Sequence, residues 1–173
     1  MVVKLSAREM AQCSQAAAMR WQLARASDVG NQRRDGNRDD DALDRLGVMA
    51  ELVVAKIFDL DHQHLIGVDD GTDLWVDDLS IDVKATFHDG GHLLFKSREA
   101  FKADCSVLVC QLAPDTYRVA GYASKQTFLK KAQEKDFGHG PGWALEQEEL
   151  DPLGKLWQHA RSLAVAPKQM AGA

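Results

Sequence analysis

The stretch Gly71-Thr72-Asp73-Leu74-Trp75-Val76-Asp77-Asp78-Leu79-Ser80-Ile81-Asp82-Val83-Lys84 decides how the rest of the chain is read. From Leu79 onward, Leu79, Ile81, Val83 and Ala85 alternate with Ser80, Asp82, Lys84 and Thr86, the period-two pattern of a strand with one buried face. Asp82 and Lys84 therefore point to the same side. With Asp77-Asp78 as a two-residue turn, Val76 pairs with Leu79, and counting outward sets Asp73 opposite Asp82 on that side. Their Cβ atoms would stand roughly 4.5–5.5 Å apart. Like charges directly across a strand pair repel, so this register predicts a cation held between the acids or one carboxyl that keeps its proton.

A third acid lies upstream. Leu43, Leu46, Ala50, Val53, Val54 and Ile57 recur at three- and four-residue spacing, and Asp39, Asp40 and Asp41 stand where a helix N-terminus favours negative charge. The spacing predicts an amphipathic helix with a buried face. Glu51 falls in register with Gly47, Val54 and Phe58, which places its carboxylate at the edge of the apolar face, whereas a surface glutamate would sit opposite it.

A helix bearing Glu, then Gly-Thr-Asp, then Ile-Asp-Val-Lys resembles the PD-(D/E)XK nuclease superfamily, the restriction-endonuclease-like fold. The matching residues are Glu51, Asp73, Asp82 and Lys84, and Thr72 stands where the family's name has a proline. The resemblance spans roughly residues 42–123: the helix, a β-meander, a crossover around 96–102, and strands at 105–112 and 117–123. It implies an α/β fold, a mixed sheet of four to five strands flanked by helices. It also implies metal-dependent hydrolysis of DNA phosphodiester bonds, with an endonuclease as the form expected. Hard oxygen donors such as Asp73 and Asp82 suit Mg²⁺ or Mn²⁺, and Glu51 would complete the metal shell. Lys84 would orient the attacking water or help deprotonate it, and stabilise the transition state. An inactive nucleic-acid-binding or assembly protein of the same fold, or a nuclease acting on RNA, are the alternatives.

Length and composition allow this. A chain of 173 residues with 45% hydrophobic content fits one domain. That domain is expected over 1–164, with an N-terminal helix at 7–27 opened by the capping box Ser6 and Glu9, and a frayed, disordered tail at 165–173. No apolar run approaches the roughly 20 residues of a membrane helix, and the N-terminus lacks a signal-peptide pattern. A soluble, cytoplasmic protein without a membrane partner is therefore expected. Cys13, Cys105 and Cys110 form an odd set without Cys-x-x-Cys spacing, which predicts reduced, buried thiols.

A net charge of −5 is not the usual footprint of a nucleic-acid binder. The cations are grouped, however: Arg20, Arg25, Arg33, Arg34 and Arg38 at and beyond the first helix, and Lys125, Lys130, Lys131 and Lys135 on one later helix. Arg33, Arg34, Arg38, Lys96, Lys125 and Lys130 are the candidate DNA contacts, and the 30–41 stretch reads as a loop that would order on DNA. A last helix is expected over 151–164, with Leu153, Leu156, Trp157 and Ala160 inward. One site in a small domain implies a homodimer, or two successive nicks, for cutting a duplex.

Overall fold

Around strand β3 (Leu79–Thr86) the main sheet is assembled. The computed structural model describes residues 1–26, 40–60, 71–138 and 140–156. β3 pairs antiparallel with β2 (Leu74–Val76), with Val76 opposite Leu79 and Leu74 opposite Ile81. The turn between them is the two residues Asp77 and Asp78, and Asp77 takes the left-handed conformation with φ 53°, which a short side chain able to bond its own backbone tolerates. On its other edge β3 runs parallel to β5 (Cys105–Ala113), which pairs antiparallel with β6 (Thr116–Ser124), itself paired with β1 (Val2–Lys4). The order of the five-stranded mixed sheet is β1-β6-β5-β3-β2.

Both faces of this sheet are covered, which is why β5 reads as a nearly unbroken apolar run instead of an alternation. Ile81, Val83, Cys105, Val107, Val109, Tyr117 and Val119 enter one core with helices α1 (Ala7–Ala26) and α2 (Asp40–Ile57). Leu108, Cys110 and Ala123 enter a second core on the opposite face. In β6 the alternation changes parity partway: Tyr117 and Val119 face the helices, and so does Tyr122, three residues on. The cause is a bulge, since Leu108 pairs with Gly121 while Val109 pairs with Val119, leaving Ala120 as the extra residue. At Gly121 a Cβ would stand 2.7 Å from the Asp151 carbonyl oxygen, so only glycine lets the later chain lie against the strand. There Tyr122 and Asp151 exchange backbone hydrogen bonds at 2.9 and 2.8 Å.

The second core lies under a separate three-stranded antiparallel sheet, β4 (Leu93–Phe95), β7 (Gln133–Asp136) and β8 (Pro141–Leu145), in the order β4-β8-β7, together with α3 (Lys125–Lys131). Two sequence expectations are corrected by this sheet. The meander does not continue past β3, because β4 leaves the main sheet and pairs with β8. Lys135 is not on the helix of Lys125 and Lys130, because α3 ends at Lys131 and Lys135 belongs to β7. Residues 141–145 form the central strand of this second sheet.

The capping box forms as expected: the Ser6 N–H donates to Glu9 Oε2 at 2.7 Å and the Glu9 N–H to Ser6 Oγ at 3.3 Å. The other Glu9 oxygen accepts from Lys56 Nζ at 2.6 Å, tying the start of α1 to the end of α2. These bonds, led by Lys56, lower the Glu9 carboxyl to about 2. Helix α2 begins at Asp40, so Asp40 and Asp41 are helical instead of part of the expected loop. Cys13, Cys105 and Cys110 are free and buried, as expected. Of the last expected helix, residues 153–156 are helical and Leu153 and Leu156 are buried, while Trp157, Ala160 and the tail lie outside the described residues. Among the described residues no helix is long and apolar enough to cross a membrane.

Candidate active site

The β2–β3 register follows the sequence count as far as Leu74 opposite Ile81, and Asp73 and Asp82 are the residues next beyond that pair. β2 has ended there and the pairing is irregular: Leu74 is already the partner of Ile81, yet the Asp73 N–H also turns to Ile81. The Asp73 N–H donates to the Ile81 carbonyl at 2.9 Å, and its Oδ2 accepts from the Val83 N–H at 2.6 Å. The carboxylate thus leans along the hydrogen-bonding edge of β3. Burial, then the negative charge of Glu51, then that of Asp82 push the Asp73 carboxyl up to about 7, against the pull of the Val83 amide and Lys84. The sequence predicts a raised carboxyl from an opposed Asp82 alone; burial and Glu51 contribute more to it than Asp82 does.

Asp82 is 6% exposed and fully engaged. Its Oδ1 accepts from Lys84 Nζ at 2.5 Å, two residues along the same strand, and its Oδ2 accepts from Ser106 Oγ at 2.6 Å, across the parallel pairing with β5. The Lys84 ammonium also stands 4.8 Å from the centroid of the Phe95 ring. Next along β3, the Ser80 N–H and hydroxyl both donate to Asp104 Oδ2 at 2.9 and 2.6 Å, and Ser80 Oγ accepts from the Asp104 N–H at 2.9 Å. This reciprocal clasp fixes the entry to β5 beside the acids.

Glu51 is only 5% exposed and is met by a cation from α1. Arg20 donates from Nη1 to Oε1 at 2.7 Å and from Nη2 to Oε2 at 2.5 Å, a two-pronged pair. The sequence groups Arg20 with the arginines beyond the first helix, a set able either to track a phosphate backbone or to form a solvated face. The structure instead turns its guanidinium inward onto Glu51. Among the described residues no group of three His, Cys, Asp or Glu side chains is gathered closely enough to hold a metal ion. Asp73 and Asp82 are the hard oxygen donors at the hairpin, with Glu51 behind them on Arg20.

Of the candidate DNA contacts, Arg33, Arg34 and Arg38 lie outside the described residues. Lys96 and Lys130 are exposed, and Lys125 opens α3 with its ammonium on the Lys102 carbonyl at 3.4 Å. Lys102, which sequence reading passed over, lays its stem across Gly71, where an added Cβ would stand 2.8 Å from Lys102 Cδ. Gly71 has φ +96°, and both features keep this position glycine. Trp75, on the edge strand, is 59% exposed. Ser106 was also passed over, although a lone hydroxyl inside the apolar run 105–110 is a readable signal for a buried partner. Comparison with protein-family models, with curated proteins and with solved structures finds no match to this chain.

Proposed function

We propose that this chain is a metal-dependent nuclease that hydrolyses DNA phosphodiester bonds, on a restriction-endonuclease-like framework of α2, the β2–β3 hairpin and β5. The observation that carries this reading is the crowding at Asp73, whose carboxyl is held at about 7 by burial and by Glu51 and Asp82, with Lys84 next to the pair. Asp73 and Asp82 fit Mg²⁺ or Mn²⁺, whose usual shell is one or two carboxylates completed by waters and substrate phosphate oxygens. A cation there also relieves the repulsion. When bound, such an ion supplies Lewis acidity toward a phosphate oxygen and an acidified water.

The remaining work falls to side chains. Ser106 fixes one Asp82 oxygen and so sets the direction of the other. Lys84, half-exposed and held by Asp82, presents positive charge where negative charge grows on the phosphoryl oxygens. As a direct ligand Glu51 would share its oxygens with Arg20, and its charge draws a cation toward Asp73. Lys96, Lys125 and Lys130, with Arg33, Arg34 and Arg38, are the proposed contacts to the DNA backbone, and a homodimer would supply the second cut of a duplex.

The test is incubation of the purified protein with supercoiled, linear and single-stranded DNA and with RNA, each with Mg²⁺, Mn²⁺ or chelator. Cleavage of DNA that chelator abolishes is expected, and Lys84→Ala should reduce it by roughly 10²–10³-fold, the loss typical of one transition-state charge. One observation favours a second reading, a nucleic-acid-binding protein without activity: Glu51 is already answered by Arg20 and Asp82 by Lys84. DNA binding without cleavage under every metal condition would select that reading.

A further inference from the structure

We infer that Phe95 is a positioning residue for Lys84, holding the ammonium against the face of its ring so that it stays over Asp82 and directed at the substrate. The inference rests on the nuclease reading for what Lys84 does, but the geometry behind it does not. A lysine carries its charge on a flexible four-carbon stem, and a single carboxylate two residues away does not fix where the ammonium sits. The ring supplies the second wall. Its centroid is 4.8 Å from Lys84 Nζ, inside the roughly 6 Å over which a cation is drawn to an aromatic face.

The ring itself cannot drift. Phe95 is 4% exposed, stacks on Phe101 at 4.6 Å with the planes 8° apart, and meets Phe128 edge-on at 5.0 Å and 69°. Phe101 and Phe128 are fully buried, and β4 is pinned to β8 through the pairing of Phe95 with Trp143. The second sheet and its aromatic core therefore reach the candidate site through one side chain. An ammonium has three donors; one goes to Asp82 Oδ1, and a ring face accepts the charge without fixing the other two. Those two remain for a water and a phosphoryl oxygen. Phe95 touches neither, so its role is to place Lys84.

The test reads Lys84 directly. In ¹⁵N-labelled protein its ammonium signal is assigned by its loss in Lys84→Arg. The ring should shift those ammonium protons upfield of the other lysines, and contact with Asp82 should slow their exchange with water. Phe95→Leu and Phe95→Met should both return the signal to the common lysine position, and lower kcat on DNA by about tenfold with KM little changed. Leu5→Ala empties space in the core on the other face of the sheet, away from the Phe95 ring stack, and should lower the melting temperature while leaving the signal and kcat close to wild type. An unshifted ammonium in the wild-type protein overturns the inference whether or not either Phe95 variant folds. A shifted signal that survives in a folded Phe95 variant overturns it too. Absence of cleavage by wild type counts against the nuclease reading, and the ammonium signal still decides the placement of Lys84.

Discussion

Asp73 and Asp82 are neighbours at the hairpin but not alike in circumstance. Asp82 has a lysine on one oxygen and a serine on the other, while Asp73 has one backbone amide and two repelling neighbours. The strain of the pair thus falls on Asp73. Folded, its carboxyl keeps its proton to about 7, whereas in the unfolded chain it releases it near the ordinary value of 3.8. Between those values the folded state binds more protons, so the contribution of this group to stability declines as pH rises through the window. Asp73→Asn removes the charge but keeps an oxygen for the Val83 amide. It should melt higher than wild type in metal-free buffer on the alkaline side of the window and nearly level with it on the acid side. Asp82→Asn removes the carboxylate that Lys84 pairs with and should melt lower. Melting curves across the window check both, and a higher-melting Asp82→Asn would move the strain to Asp82.

Between elements, the bond that matters most near the site is Arg20 to Glu51, from α1 to α2. Removing one partner of a buried ion pair leaves an uncompensated charge, so Arg20→Met should cost about 3–5 kcal/mol in urea unfolding, and adding Glu51→Gln should recover much of it. Arg20→Lys should recover less, because an ammonium cannot reproduce the two-pronged geometry. A stability unchanged by Arg20→Met would mean that Glu51 is not held by this pair in solution. What was legible beforehand follows from the same distinction between local and distant contacts. The Ser6–Glu9 cap, the α2 face and the β2–β3 register depend on residues a few positions apart, so their periodicity carried them. The Arg20–Glu51 pair joins residues 31 apart, and Leu93 pairs with Leu145 across even more chain. Neither leaves a local pattern. β4 and β7, at three and four residues, are too short to show a period, which is why the second sheet, and with it the Phe95 contact, could not be read from sequence.

For the molecule as a whole, a net charge of −5 leaves only a minority of cations to hold DNA on the proposed nuclease reading. Most lysines beside acids are already paired, among them Lys56, Lys84, Lys131 and Lys155. Replacing Arg33, Arg34 and Arg38 by Ala should weaken DNA binding in chelator and flatten its dependence on salt, by about one unit of slope per lost phosphate contact. An unchanged slope would place the contacts on Lys96, Lys125 and Lys130. The metal reading can be tested without any substrate, because a ligand that binds only the folded chain stabilises it. At a hundredfold excess over its dissociation constant, Mg²⁺ or Mn²⁺ should add about 2.7 kcal/mol and raise the melting temperature. Asp73→Asn and Asp82→Asn each remove a hard donor and should lose most of that rise, although they move the metal-free melting temperature in opposite directions. Lys84→Ala should keep it. This contrast separates ligation from general destabilisation: if the two Asp variants respond to metal as wild type does, the hairpin acids are structural, and the chain is better read as a nucleic-acid-binding protein that does not cut.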